Sequence, residues 1–295
     1  MATLRELKTR IGSVASTEKI TGAMKMISSA KVHQSELALR KLQPFKDKLK
    51  SIMGHILETG EEFDSPLIES REVKHASIVV FGSDDGLCGA YNTNILKGLL
   101  VSLDQLKNKY GHNVSVDVYP IGKKMEKAVR RLKDSGLNII VIPGVDSKMN
   151  GEKVNEFTNS LRQKFINGET DLVEVVYMKF ISMSKQILTD EKLFPVSADA
   201  LTEGSEDLND NQLYIFEPDP NRIFNEVLPM FVLSTMQEIT IENRSSEQAA
   251  RVMAMQSAND NAQKLLEELQ LEYNKLRQQS ITTELLDIVG GQVER

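Results

Sequence analysis

Cysteine, tryptophan and long apolar segments are scarce in this chain. Cys88 is the single cysteine among 295 residues, tryptophan is absent, and aromatic residues make up only 5%. With one cysteine, no disulfide can form within the chain, which is typical of a protein from a reducing compartment. The longest apolar run lies around residues 137–143 and is too short to cross a bilayer. We therefore predict a folded protein that has no internal disulfide and does not insert into a membrane.

The net charge and the N-terminal residues argue against a nucleic-acid-binding protein and against a targeted precursor. The net charge at pH 7 is −6, which speaks against nucleic acid as the main partner. The N-terminal residues are charged from Arg5 onward, so we expect neither a secretory signal nor a transit peptide. Hydrophobic residues account for 40% of the chain and charged residues for 26%, a balance typical of folded proteins.

Motifs that carry chemistry are also missing. The sequence has no Walker A motif, no G-x-G-x-x-G after a strand and no G-x-S-x-G. The segment 82–89 (GSDDGLCG) follows a predicted strand, but its spacing fits no phosphate-binding motif, and we interpret it as a structural turn. Within it, Asp84 and Asp85 are more typical of a solvated turn or a helix cap than of a metal site, and Cys88 is expected to be a buried thiol. We predict no catalytic site, no metal and no cofactor.

The first of three blocks, residues 1–60, is predicted to be one long helix. Apolar residues at Leu4, Leu7, Ile11 and Val14 follow the alternating spacing of three and four that is typical of a coiled coil. We expect this apolar face to continue through smaller or more flexible residues, namely Thr17, Ile20, Met24 and Ile27.

The middle block, residues 73–218, alternates short β-branched runs with helical patterns, which predicts βαβ units on a largely parallel sheet. The strands are predicted at 77–81, 114–119, 137–142 and 173–180. The helices between them are predicted at 93–109, 123–135 and 152–165. An acidic segment at 203–212 is expected to be a surface loop.

The last block, residues 221–291, is again predicted to be helical. Pro229 should kink this helix or mark its start, and Gly290 with Gly291 should end it. Leu265, Leu269, Leu276, Leu285 and Ile288 form a partly regular apolar stripe.

The two terminal helices are expected to pair antiparallel, because the middle block returns the chain near the point where it left. Counted from that block, the first helix has about 55 residues and the last about 68, so the last extends about 20 Å further. The extension carries apolar residues with no partner in this chain, which suggests a surrounding sleeve in another protein, with simple fraying as the alternative. These residues are Ile281, Leu285, Leu286, Ile288 and Val289.

The two ends of the sequence resemble a known family. Residues 10–31 (RIGSVASTEKITGAMKMISSAK) and 244–291 (RSSEQAARVMAMQSANDNAQKLLEELQLEYNKLRQQSITTELLDIVGG) are similar to the terminal signatures of F-type ATP synthase gamma subunits. The middle adds SDDGLCGAYN at 83–92 and YIFEPDP at 214–220. The resemblance extends over the whole chain and is closest to the bacterial type.

The resemblance implies an α/β fold with a long coiled coil: an antiparallel coiled coil of the terminal helices and a central Rossmann-like domain. It implies a non-catalytic rotor shaft that couples proton flow through a membrane c-ring to ATP synthesis or hydrolysis by other subunits. The implied partners are the alpha and beta subunits, the epsilon subunit and the c-ring, with the delta subunit in the same complex. The implied location is peripheral, on the cytoplasmic face of the bacterial inner membrane.

The resemblance also implies partner-binding residues. A stretch on the first helix is expected to lie beside a beta-subunit loop: Lys19, Ile20, Thr21, Ala23 and Met24. On the last helix, Arg251 and Gln278 are expected to hydrogen-bond another beta-subunit loop, supported by Arg277, Thr282 and Glu284. The sleeve contacts are expected at Ile281, Leu285, Leu286 and Ile288. Without the resemblance, Met24 would be interpreted as coiled-coil core, and Arg251 and Gln278 as a solvated helix face.

Two alternative functions and the role of Gly22 stay open at this point. A static coiled-coil scaffold explains the heptad spacing but not the apolar extension. A nucleotide- or NAD-binding enzyme built on residues 73–218 lacks the phosphate-binding motif. Gly22, inside a helix where glycine costs about 1 kcal/mol relative to alanine, indicates either a smooth bearing surface or close packing between helices.

Overall fold

The computed structural model describes residues 3–59, 63–197, 201 and 215–293, so the predicted acidic loop at 203–212 lies outside the described residues. The chain divides into two compact units. The coiled-coil unit comprises residues 1–29 and 251–295, and the sheet unit comprises residues 30–250. Two long helices contribute to both units, α1 (Leu4–Glu58) and α5 (Pro220–Val293).

Between these helices, strands and shorter helices alternate. Their bounds are β1 His75–Phe81, α2 Tyr91–Tyr110, β2 Ser115–Ile121, α3 Lys123–Val129, β3 Asn138–Ile139, α4 Gly151–Ile166, β4 Leu172–Ser182 and β5 Lys185–Phe194. A 3-10 helix, Arg130–Ser135, follows α3 directly.

The sheet has the strand order β3-β2-β1-β4-β5. The first four strands are parallel, with Ile78 opposite Val118 on one side and Glu174 on the other. The strand β5 joins antiparallel to β4, with Thr189 opposite Tyr177. The largely parallel sheet predicted from the sequence is confirmed, and the antiparallel edge strand is an addition that the sequence patterns did not indicate.

Alternating side chains of β1 belong to two separate apolar cores, one on each face of the sheet. Val79 and Phe81 face the core that α1, α4 and α5 supply, for example with Phe157 and Phe231. Ile78 and Val80 face the core that α2 and α3 supply. The sheet unit is therefore a three-layer α/β arrangement, in which the central strands bury apolar side chains against helices on both faces.

In the coiled-coil unit, α1 and α5 pack antiparallel along a seam of residues spaced alternately by three and four. The direction follows from two contacts. Thr21 on α1 bonds Asn259 on α5, while Glu18, three residues earlier, bonds Gln263, four residues later. Burial marks the seam positions, which on α1 are Leu4, Leu7, Ile11, Val14, Glu18, Thr21, Lys25 and Ser28, and on α5 are Met255, Asn259, Ala262, Leu266, Leu269, Tyr273, Leu276 and Ser280.

The predicted continuation of the seam through Thr17, Ile20, Met24 and Ile27 is wrong. The exposed fractions of Ile20 and Ile27 are 59% and 57%. The helix keeps its strict seven-residue register after Val14, so the seam passes through polar and small residues and the larger apolar ones lie on the outer face. The prediction extended the seam through the more hydrophobic residues, whereas the buried positions keep the seven-residue spacing that helix geometry sets.

Several predicted bounds also need correction. The third strand was predicted at 137–142, but only two residues pair, next to Asp117 and Val118 of β2. Pro229 lies nine residues inside α5 and does not start it, because Pro220 takes the first helical position, which suits proline. Gly290 and Gly291 do not end α5, which is helical to Val293.

Candidate partner-binding surface

The predicted contact stretch on α1 lies on both the seam and the outer face. Lys19, Ile20 and Ala23 are exposed, and Met24 is half-buried. Thr21 differs, because it is 7% exposed and its hydroxyl lies 3.3 Å from Asn259 Oδ1. In the chain by itself, Thr21 is part of the helix–helix packing, while its neighbours are available to a partner.

The outer face of α1 carries more apolar surface than we predicted from the sequence. Ile20 and Ile27 are seven residues apart, with half-buried Met24 between them on the same helix face. Met26, beside this face, is 68% exposed. Met26 and Ile27 were not among the predicted partner contacts. The signal that could have found them is the mismatch between their hydrophobicity and the heptad register of Leu4–Val14.

The predicted residues on α5 are not brought together. Arg251 is 5% exposed, whereas Arg277 and Gln278 are exposed. Twenty-seven residues of helix separate Arg251 from Gln278, which corresponds to about 40 Å. The two side chains therefore cannot reach the same small loop while α5 is helical, and a shared hydrogen-bond partner would have to extend along α5.

Beyond Ser280, α5 has no buried side chain among those described. This part, which we call the distal segment, comprises residues 281–288. Its apolar side chains are exposed by 45% at Ile281, 58% at Leu285, 65% at Leu286 and 63% at Ile288. Positions 281, 285 and 288 recur at helical spacing and form one apolar stripe.

The described polar contacts of the distal segment lie within the helix itself. The Thr282 hydroxyl donates to the Gln278 carbonyl oxygen at 2.9 Å, and the Ser280 hydroxyl contacts Glu284 Oε1 at 3.4 Å. The Glu284 carboxylate and the Arg277 guanidinium are exposed. Charged groups thus flank an apolar stripe, an arrangement that suits a protein partner with an apolar centre and a polar rim.

The loop after β1 is held by hydrogen bonds within the sheet unit. The Ser83 amide donates to Asn92 Oδ1 at 3.0 Å, and Asp84 Oδ1 accepts from the Lys123 amide at 3.0 Å. Asp84 Oδ2 also accepts from the Ser147 hydroxyl at 2.7 Å. The predicted helix-capping role of Asp84 is therefore non-local, because the helix it caps, α3, begins 39 residues later.

Its neighbour Asp85 forms an exposed ion pair with Lys148 at 2.8 Å. The hydrogen bond from Lys148 to Asp85 raises the pKa of the lysine above its usual value, and burial opposes this rise. Cys88 is 4% exposed, as predicted for a buried thiol. In the part of the chain that the structure describes, no three His, Cys, Asp or Glu side chains cluster as a metal site would require.

None of the helices in the described ranges is long and apolar enough to cross a bilayer.

Solved structures share this fold. A chain of the Euglena gracilis mitochondrial ATP synthase (OSCP/F1/c-ring, rotational state 3) superposes with a TM-score of 0.62 at 20% identity, over 98% of this chain and 93% of that one. A chain of the rotor of the same enzyme in rotational state 1 gives a TM-score of 0.60 at 18% identity, over 94% and 98%. The fold, an α/β sheet unit with long terminal helices that pair, is thus of the kind found in ATP synthase rotors.

The sequence comparison is more specific. The family model described as ATP synthase matches residues 3–293. The ATP synthase gamma chain of Parabacteroides distasonis is 40% identical over 291 residues, covering 99% of this chain and 98% of that one. The gamma chain of Bacteroides thetaiotaomicron is 37% identical over 302 residues and covers both chains completely. The chain belongs to the ATP synthase gamma chain family.

Proposed function

We propose that this chain is the central rotor shaft of a proton-translocating F-type ATP synthase and has no catalytic site of its own. The observation that carries the proposal is the distal segment, residues 281–288 of α5, whose four apolar side chains are 45% exposed or more. A stripe of this kind at a helix end is costly in water and favours a surrounding protein surface.

The proposed mechanism depends on the asymmetry of the shaft. Two helices present different side chains in different directions, so three similar catalytic subunits around them would each contact a different face. Each contact shifts the conformational equilibrium of its subunit by a different amount, and rotation passes these shifts around the ring. Binding free energies are coupled in both directions, so nucleotide binding would also bias the angle of the shaft.

The proposed contacts with the alpha and beta subunits rest on the family resemblance, and the exposure of most of these residues supports them. Lys19, Ile20 and Met24 would lie beside one beta-subunit loop, and Met26 and Ile27 extend the same surface. On α5 the proposed contacts are Arg277, Gln278, Thr282 and Glu284, with Ile281, Leu285, Leu286 and Ile288 in the sleeve. Thr21 and Arg251 stay proposed contacts, Arg251 with a part of the partner other than the loop that Gln278 bonds. Because both side chains are buried, a partner must reach them at the edge of the helix packing.

The remaining partners follow from the family alone. The sheet unit and the adjacent part of the paired helices would contact the epsilon subunit and the c-ring, with the delta subunit in the same complex. The chain would then be peripheral to the cytoplasmic face of the bacterial plasma membrane through these partners. The organisation at 1–60, 73–218 and 221–291 also stays a prediction.

The first test is co-purification with alpha and beta subunits, comparing the full chain with a chain that ends after Ser280. The truncation removes the distal segment and leaves every seam position in place. We expect the full chain to give a stable complex that hydrolyses ATP and the truncated chain to lose most of the hydrolysis. A full chain that never associates with a nucleotide-hydrolysing ring would contradict the proposal.

A matched pair of variants separates the sleeve from general surface effects. Leu285→Gln with Leu286→Gln polarises the distal segment, and Leu100→Gln polarises an exposed leucine on α2 that is 41% exposed. We expect loss of assembly for the first variant only. The static scaffold is tested by an engineered disulfide between the distal segment and a beta subunit, which should stop turnover of a rotor and leave a scaffold unaffected.

A further inference from the structure

The switch point of the strand order is the place where doubly wound α/β proteins hold ligands, just beyond the carboxyl ends of the strands. In this sheet it lies between β1 and β4, because β2 and β3 extend to one side of β1 and β4 and β5 to the other. The loop that begins at Gly82, after the end of β1, borders this place. A residue of α5, Asn243, occupies hydrogen-bonding positions there.

Asn243 is 1% exposed and joins α5 to two parts of the β1–α2 connection. Its side-chain amide donates to the Gly82 carbonyl oxygen at 3.2 Å. The Tyr91 hydroxyl, at the start of α2, lies 2.6 Å from Asn243 Oδ1 and 3.0 Å from the Asn243 carbonyl oxygen. Because both the donor and the acceptor of the amide are used, the orientation of this side chain is fixed.

The next residue, Arg244, joins α5 to the segment before α4. Its guanidinium donates to the Ser147 carbonyl oxygen at 3.2 Å and to the Met149 carbonyl oxygen at 3.0 Å. Ser147 is held in turn by Asp84, whose Oδ2 accepts from the serine hydroxyl at 2.7 Å. Two loops at the carboxyl edge of the sheet therefore hold two adjacent residues of one helix.

We propose that Asn243 and Arg244, with Tyr91 and Ser147, form a clamp that fixes the rotational setting of α5 about its own axis within the sheet unit. In the assembled enzyme this clamp would transmit torque between the sheet unit and α5. The inference rests on the proposed rotor function and names the positioning residues for it.

The physical reason lies in the difference between apolar and polar contacts. Earlier turns of α5 are held by apolar side chains such as Phe224, Leu228 and Phe231, which are 1%, 0% and 5% exposed, and by single polar contacts at Asn225, Gln237 and Glu238. The hydrophobic effect is non-directional, so apolar contacts depend less on the exact angle of a helix than hydrogen bonds do. Hydrogen bonds to loop carbonyl groups depend on angle, and leaving a buried partner unpaired is unfavourable. A small turn of α5 would break several of them together.

The position of the clamp along the chain supports the same conclusion. Asn243 and Arg244 lie within the last eight residues of α5 that belong to the sheet unit, which ends at Ala250. They are therefore among the last contacts that can hold α5 before it continues into the coiled-coil unit. Torque applied at either end of the helix must pass this point.

The test uses the complete membrane-bound ATP synthase and measures ATP hydrolysis and proton pumping in the same preparation. Arg244→Met keeps an unbranched, mostly apolar side chain in place of the aliphatic part of arginine and removes the hydrogen bonds to Ser147 and Met149. Ser245→Ala is the matched control, because Ser245 is fully buried and its hydroxyl donates only to the Ile241 carbonyl of its own helix among the described contacts. We expect a severalfold loss of protons pumped per ATP for Arg244→Met and no change for Ser245→Ala.

The ratio of the two rates separates a clamp from a merely structural role, because loss of assembled enzyme lowers both rates in proportion. Assembled Arg244→Met enzyme that pumps at the normal ratio against a proton gradient would overturn the clamp. If this variant fails to assemble, Tyr91→Phe, which removes one hydroxyl, is judged by the same ratio, and an unchanged ratio again overturns the clamp. Failure of the wild-type chain to form a coupled enzyme would instead contradict the proposed function.

Discussion

The hydroxyl of Thr21 on α1 lies 3.3 Å from Oδ1 of Asn259 on α5, in the middle of the coiled-coil seam. A Cβ atom added at the adjacent Gly22 would lie 3.4 Å from the same oxygen, which is an ordinary contact distance. The two helices thus approach closely here through small and polar side chains. Polar residues at such positions favour one register over others at some cost in stability.

Gly22→Ala should raise the free energy of unfolding by about 0.5–1 kcal/mol, because alanine is the better helix former and its methyl group fits. Gly12→Ala is the matched control, since a Cβ at Gly12 would meet nothing within 4 Å. Thermal unfolding followed by circular dichroism measures both. Stabilisation at Gly12 with destabilisation at Gly22 would show that close packing requires the glycine. Stabilisation at both with slower turnover of the Gly22 variant in the complex would instead support the bearing surface.

The same substitution at Leu269 and at Leu271 tests which positions of α5 belong to the seam, because one leucine is buried and the other is exposed. Leu269 is 6% exposed and Leu271 is 71% exposed, two residues away on the same helix. Leu269→Ala should lower the free energy of unfolding by about 2–3 kcal/mol through lost burial and a residual cavity. Leu271→Ala should change it by less than about 0.5 kcal/mol. Equal losses in urea unfolding of the isolated chain would contradict the seam register.

Ser246 is a fully buried polar residue on α5. Among the described residues its hydroxyl has no hydrogen-bond partner, although the side chain is fully buried. Ser246→Ala should therefore stabilise the chain by about 1 kcal/mol, since the penalty of an unpaired hydroxyl is removed and helix propensity rises. Ser245→Ala, which removes a bonded hydroxyl, should gain less. A loss of stability at Ser246, measured by thermal unfolding, would indicate that its hydroxyl has a partner in solution.

Glu242 should make stability depend on pH. Burial raises the pKa of Glu242 to about 7, the Lys179 ammonium opposes this rise, and Glu238 adds to it. The folded chain therefore holds the proton more tightly than the unfolded chain, whose carboxyl has a pKa of 4.5. The stabilisation by the protonated form is complete below pH 4.5 and is lost as the pH rises to about 7.

Glu242→Gln keeps a neutral side chain at every pH. It should be more stable than the natural chain by on the order of 2 kcal/mol at pH 8, with the difference vanishing near pH 4. Glu267→Gln, at an exposed position of α5, is the control and should have little effect at either pH. Burial also raises the pKa of Glu174 to about 7, so part of the pH dependence should persist in the Glu242 variant. Chemical unfolding at the two pH values measures this.

Much of the architecture could be predicted from periodicity. The spacing of Leu4, Leu7, Ile11 and Val14 predicted the first helix, and alternating β-branched runs predicted the parallel strands, because both patterns are local consequences of backbone geometry. The antiparallel strand β5 was missed because its burial is confined to one end, at Leu193 and Phe194. Its place at the sheet edge depends on pairing with β4 and not on its own pattern.

The candidate partner-binding surface could likewise be predicted only in part from the sequence. The terminal motifs identified the family and predicted a contact stretch from Lys19 to Met24, and counting residues predicted that the end of α5 would extend beyond α1. The sequence alone could not show that Thr21 turns inward while Ile20 and Ile27 turn outward. That choice depends on the register of two helices that are 238 residues apart at their contact.

By itself, the sequence determined the long helices, the parallel strands, the absence of a catalytic motif and the family, since each depends on residue types at fixed local spacing. Only the tertiary structure decided which helix face is buried and that Asp84 caps a helix 39 residues away. It also decided that Asn243 of α5 bonds the edge of the sheet where other α/β proteins hold ligands. These facts are contacts between distant parts of the chain. They arise because buried donors and acceptors must find partners wherever the fold brings them, and local sequence patterns do not record such pairings.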